Sequence, residues 1–174
     1  MRFVRALAIL TMLTVSSTAI LGGSSTSDIK SIAAARVNGS IKIDGILDEH
    51  CWLLAEPGTS FVQFIPDEGE PATERTEFRV LYDDEYLYVG VWAYDSCPDS
   101  ITTRLSRRDV FTETDAIFIG LDTDHDHQTG YAFGVTASGT LLDAYMFDDV
   151  QTDLTWDGAW TAKTSRDEKG WYAE

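Results

Sequence analysis

The sequence predicts an all-β fold, an antiparallel β-sandwich of jelly-roll type. Short runs of alternating apolar and polar residues recur with turn signals between them. No stretch sustains the three-and-four apolar spacing of a helix, and one run, Ala116 to Leu121, is apolar on both faces as in the middle of a sandwich.

At the N-terminus, Arg2 and Arg5 precede an apolar run from Ala6 to Val15 and then small and polar residues from Ser16 to Ser27. That is the pattern of a secretory signal peptide, assigned to 1–23, with cleavage after Ala19 or Gly23. A transmembrane helix needs about 20 apolar residues, and Thr11, Thr14, Ser16, Ser17 and Thr18 interrupt this run. Residues 24–38 read as a polar leader. The region 39–174, about 135 residues, suits one domain with a sizeable core.

Within it, Asp48 to Leu54 is the one segment that reads as a short helix. From Thr76, the side chains of Thr76, Phe78, Val80 and Tyr82 point one way and those of Glu77, Arg79 and Leu81 the other, a half-buried strand. The acidic turn Asp83-Asp84-Glu85 leads into a second strand, in which Leu87, Val89, Val91 and Ala93 alternate with Tyr88, Gly90, Trp92 and Tyr94. Ala116 to Leu121 follows and stops at an acidic loop. Tyr131 to Thr136 and Thr140 to Phe147 flank the turn signal Ser138-Gly139, giving a second hairpin. Trp160 to Ser165 and Trp171 to Glu174 flank Arg166 to Gly170, giving a third. The chain stops within that last strand, so the sandwich is expected to lack a C-terminal strand.

A formal net charge of −16, which becomes −18 when Arg2 and Arg5 leave with 1–23, repels nucleic acid phosphates and anionic lipid headgroups. Neutral polymers and divalent cations are the partners such a surface accepts. Cys51 and Cys97 are the only cysteines, and export leaves two readings open, a disulfide or two separate small buried side chains.

Asp122, Asp124 and Asp126 stand at alternate positions of the acidic loop. Oxygen ligands so spaced can converge on a hard cation such as Ca²⁺, and their mutual repulsion favours a bound ion over an empty loop. It is not an EF-hand, because His127 stands where glycine is needed and Phe133 where the bidentate glutamate is needed. A solvated acidic loop is the bland alternative, and His125 with His127 raises a lesser one in zinc.

Of the five tryptophans, Trp52 and Trp171 read as core. Trp156 and Trp160 lie in the polar run Asp153 to Trp160, where an exposed indole can stack on the C–H face of a sugar ring. Trp156 is the leading platform; Trp92 shares a face with Tyr88 and Tyr94, which is either a second core face or a binding face. No serine elbow, phosphate loop or dinucleotide fingerprint occurs, and Glu113 with Asp115 is one acidic pair among many, too common to single out as a glycosidase pair.

Four segments then carry a resemblance: Ile43-Asp44-Gly45-Ile46-Leu47-Asp48-Glu49 with Trp52, the hairpin Phe78 to Val91, Thr114 to Asp122, and Thr129-Gly130-Tyr131. In order and spacing they resemble a family 9 carbohydrate-binding module. Arg107-Arg108-Asp109, Tyr131 to Val135 and Trp156-Asp157 bring the chain closer to the family-9-like N-terminal domain of large bacterial exported proteins, whose remainder resembles an outer-membrane β-barrel. The resemblance implies a calcium-containing sandwich that binds a polysaccharide or oligosaccharide without catalysis. It depends on export to the periplasm, the cell exterior or the outer membrane, and it allows glycoside hydrolysis and carbohydrate catabolism in a parent protein. Two departures stand out: Phe118 occupies a position where sugar-binding members carry an acid, and their second platform tryptophan falls beyond Glu174. These departures keep alive a docking domain beside an outer-membrane barrel, with no sugar site. A haem-binding sandwich using Met146 or His50, and an enzyme, are weaker alternatives.

Overall fold

In the computed structural model, residues 9–10, 30–148 and 151–174 are described. The early strands in chain order are β1 (Ile9–Leu10), β2 (Ala35–Arg36), β3 (Thr76–Tyr82), β4 (Leu87–Tyr94) and β5 (Ala116–Leu121). They are followed by β6 (Gly130–Thr136), β7 (Leu141–Phe147), β8 (Gln151–Asp153), β9 (Thr164–Asp167) and β10 (Gly170–Ala173). They form two sheets, β1-β5-β6-β7-β8 and β2-β3-β4-β10-β9. All pairings are antiparallel except the short β1–β5 and β2–β3 contacts. The architecture is the all-β sandwich that the alternating runs predict.

The period-two pattern explains the core directly. Phe78 and Val80 of β3, Val91 and Ala93 of β4, and Trp171 and Ala173 of β10 turn one face of their sheet inward. Ile117 of β5 and Val135 of β6 meet them from the other sheet. β4, β6 and β10 each pair with a strand on both sides, which satisfies backbone groups that burial of the apolar face takes from water.

The opposite face of the β3–β4 sheet is also covered, which alternation alone does not reveal. Val37, Ile41, Trp52 and Ala55 lie across Leu81, the last with no exposed surface. The cover includes a 3-10 turn, His50–Leu54, in place of the helix expected over 48–54. The Trp52 amide reaches back only three residues, to the Glu49 carbonyl at 3.1 Å, and this tighter winding drives the indole down onto the sheet. Gly90 makes room for it. A Cβ on that residue would lie 2.8 Å from the Leu47 side chain and 2.9 Å from the Trp52 ring.

Three expectations are adjusted, and a fourth lies outside the described residues. The packed domain begins before residue 39: Ala35–Arg36 pairs with β3, Val37 is buried and Ile32 packs on the main core. The last hairpin is displaced along the chain, so β9 starts at Thr164 and Trp160 lies outside it. Cys51 and Cys97 are unpaired, and Cys97 is exposed, so neither the disulfide nor two buried thiols describes them. The signal peptide lies outside the described residues, apart from Ile9–Leu10; among the described residues no helix is long and apolar enough to cross a membrane.

Gly90→Val should destabilise the fold by about 1–3 kcal/mol, the cost of overpacking a filled interior. Urea unfolding followed by tryptophan fluorescence measures it, and an unchanged midpoint would show that the Trp52 cover does not depend on that space.

Candidate functional site

Tyr131 and Phe133 of β6 share a face with Val135, and Tyr145 of β7 sits opposite Tyr131 in register. At the Val135 end this face is closed core; toward Tyr131 and Phe147 it becomes half-buried. There the rings form a continuous strip. Phe147 stacks on Tyr145 at 5.8 Å between centroids, Tyr145 meets Tyr131 at 5.3 Å, and Tyr131 meets Trp156 at 4.8 Å. Trp156 then touches Phe133 at 5.8 Å, and Phe133 meets Trp160 at 5.3 Å. Such edge and tilted contacts suit the ring quadrupoles and hold each ring in place.

Local chain chemistry delivers Trp156 to this strip. The Asp153 carboxylate accepts from the Thr155 amide at 2.8 Å and the Thr155 hydroxyl at 2.6 Å, turning the chain just after β8. These bonds hold the Asp153 carboxyl below its usual range. Gly158 then passes under the indole, where a Cβ would lie 2.7 Å from the ring.

A charged rim borders the strip. Asp143, on β7 opposite Phe133, has a side chain with no exposure, and its two oxygens take Arg108 Nη2 at 2.6 Å and the Gly158 amide at 2.5 Å. Arg108, 37% exposed, also pairs with the exposed Asp157 at 2.7 Å. The segment bearing Arg108 is fixed to the open edge of β7, since the Asp109 amide donates to the Leu141 carbonyl and Asp109 accepts from the Asp143 amide. With Asp109 also 3.5 Å from its Nε, Arg108 is a positioned cation among three carboxylates, one buried, one half-buried and one exposed.

The three predicted sugar-binding tryptophans divide. Trp156 and Trp160 come together on either side of Phe133, but Trp160 packs against the main core and its buried indole N–H has no partner among the described residues. Trp92 lies on the outer face of the other sheet, with Trp52 edge-on at 6.0 Å and the Arg79 guanidinium 5.7 Å from its ring centre. On that face Tyr88 and Trp92 pack on the second core, and Trp92 and Tyr94 also line an open cleft.

In the acidic loop, Asp122 accepts from the amides of Asp126 and His127 at 3.2 and 3.0 Å. Asp126 accepts from the amides of Gln128 and Thr129 at 2.8 and 2.7 Å, which hold its carboxyl below the usual range. The carboxylates thus cap the loop itself. The oxygen donors suit a hard cation in kind, but as arranged they do not converge: among the described residues no group of three or more His, Cys, Asp or Glu side chains gathers as a metal site. Asp115 is half-buried, accepts from the Thr102 amide at 2.6 Å, and has its carboxyl pushed up by burial. His50 lies in the turn covering one sheet and Met146 on the outer face of the other, so they are not neighbours in the fold.

Arg108→Ala should cost about 2 kcal/mol, less than the loss of a fully buried pair because Arg108 is partly solvated, and it should cost less in an Asp143→Asn background. A double-mutant cycle by chemical denaturation measures the coupling. Asp115 and Asp126 should give opposite pH signatures. The raised Asp115 contributes stability below the ordinary carboxylate pKa that is lost as pH rises through its folded value, whereas the lowered Asp126 contributes stability above that pKa that is lost as pH falls. Asp115→Asn should therefore remove a decline with rising pH and Asp126→Ala a decline with falling pH, in melting temperatures recorded from acid to neutral pH.

In comparisons with known proteins, no family model, no curated protein and no solved structure matches this chain.

Proposed function

We propose that this is a noncatalytic carbohydrate-binding domain of family 9 type, exported, which takes a polysaccharide or oligosaccharide on the strip around Trp156. The observation that carries the proposal is the half-buried run of rings from Phe147 to Trp156 beside an exposed Arg108–Asp157 pair. Aromatic faces accept the apolar C–H side of a sugar, and a fixed guanidinium and carboxylate respectively donate to and accept from its hydroxyls. The resemblance in the four segments supports the same reading, as does a net charge of −16, which disfavours polyanionic partners. Association with glycoside hydrolysis belongs to the parent protein in this proposal.

Calcium enters it as a loop-binding ion on Asp122, Asp124 and Asp126. Asp122 and Asp126 already accept amides of the loop, so an ion bound there would add to the stability of the loop that leads into β6. A second reading, a docking domain beside an outer-membrane barrel, draws on the exposure of Val62, Phe64 and Ile65, at 54, 58 and 67%.

Isothermal titration with xylo- and cello-oligosaccharides, with and without Ca²⁺, tests the proposal. Binding should weaken at least about tenfold in Trp156→Ala, as expected for loss of a stacking ring. Calcium should raise the melting temperature of the parent but not of Asp124→Ala. Silence across the panel from a folded domain would favour docking.

A further inference from the structure

We infer that the domain carries a second, separate binding cleft for a neutral polyhydroxylated ligand of one or two sugar rings, on the outer face of the β4–β10–β9 sheet. The inference shares the ligand class of the proposed function but rests on a different place in the fold.

Three aromatic side chains make its floor. Trp92 and Tyr172 are direct cross-strand partners, and Tyr94 lies two residues further along β4 on the same face. Tyr94 faces Gly170, which adds no side chain to that face, and a Cβ there would meet the Ala93 carbonyl oxygen. The floor is therefore stepped: two rings abreast, then one ring beside an open position. Asp48, from the loop after β2, forms one wall, and Asp167 and Lys169, at the β9–β10 turn, form the other. The cleft is open to solvent and has a volume of about 370 Å³, at the lower end of small-ligand sites.

The chemistry of the walls selects the ligand. A cation is disfavoured, because the ring faces already have their own cations: Arg75 stands 4.8 Å from the Tyr94 ring centre and Arg79 stands 5.7 Å from that of Trp92. Asp48 and Asp167 are balanced by Arg166 and Lys169 in the lining, so the cleft carries no net charge with which to hold an anion. Hydroxyl groups, which donate and accept, match a wall of mixed acid and base. The Tyr172 hydroxyl, whose pKa burial and the Asp167 carboxylate push up to about 12, donates to Asp167 Oδ1, as does the Lys169 amide, and the exposed carboxylate so held supplies acceptors at the cleft wall. The Lys169 ammonium supplies donors.

The cleft is also held rigidly before any ligand arrives. Asp44 and Gly45 donate their amides to one buried oxygen of Glu174, at 2.9 and 3.1 Å, and Ser165 donates to the Gly45 carbonyl at 2.5 Å. Gly45, at φ +83°, lies so close to the Thr164 backbone that a Cβ would fall 2.8 Å from it. The Ile46–Asp48 wall is thereby pinned to the strands that bear the floor, which lowers the ordering cost of binding.

The test follows the Trp92 and Trp156 indole N–H signals separately by NMR as cellohexaose or xylohexaose is added to the folded domain. Both indoles should shift in the parent. In Trp156→Ala the Trp92 response should keep its Kd within about twofold, and in Tyr94→Ala it should weaken at least about tenfold while the Trp156 response persists. Lys169→Ala, an exposed position, should also weaken the Trp92 response and guards against a fold defect in Tyr94→Ala, as does a thermal melt of each variant. A Trp92 signal that stays still with both sugars, or that shifts only while Trp156 is intact, overturns the second cleft. A moving Trp156 beside a still Trp92 leaves the proposed function standing and removes this inference; the converse sustains this cleft and removes the strip as a sugar site.

Discussion

The covered face of the β3–β4 sheet depends on one guanidinium. Arg79 donates to the carbonyls of Trp52 and Ala55 at 2.9 and 3.2 Å, and to Glu77 through two nitrogens at 3.0 and 2.8 Å. Glu77 is itself buried and also accepts from Arg75 at 2.8 Å. Without Arg79 the end of the 3-10 turn would lose the donors for two carbonyls, and a buried carboxylate would lose the more buried of its two cations, so the Trp52 cover and the pair stand or fall together.

From that clamp the rest of the outer face follows. Trp52 fills the space over Gly90 and holds Trp92 edge-on, and Leu47 packs beside it. The cover then ends, leaving Trp92, Tyr94 and Tyr172 at the margin of a cleft. One short N-terminal segment thus acts both as second core and as cleft wall.

The other sheet solves a different problem. Its inward face is apolar near Val135 and aromatic near Tyr131, and the buried Asp143 interrupts it. Burial of that carboxylate is tolerable because Arg108 and the Gly158 amide satisfy both oxygens. The same two contacts tie the Arg108 segment and the Trp156 turn to one strand, so the charge that fixes the rim also places the aromatic platform. Removal of the charge would be felt in the position of the rings.

Much of this molecule was legible in order along the chain. Alternation over Thr76 to Ala93 correctly assigned Phe78, Val80, Val91 and Ala93 to one face and the aromatic set to the other, and the apolar run Ala116 to Leu121 coincides with β5. Local turn chemistry marked the hairpins because Gly and Asp set backbone angles within a few residues. The sequence could not place the boundaries of the last hairpin, because Trp160 packs on Phe133, a partner 27 positions away in the chain, in preference to continuing a strand. It also missed Arg108 with Asp143, and Tyr131 with Tyr145, since such partnerships depend on strand register and a folded-back loop rather than on neighbouring residues. The sequence by itself determined which residues alternate, where the chain turns and how acidic the surface is, because these depend on short-range sterics and composition. Only the tertiary structure decided that Trp92 lies on one sheet while Trp156 and Trp160, from the loop after β8, pack on Phe133 of the other, because the meeting of distant segments is set by packing of their shared faces.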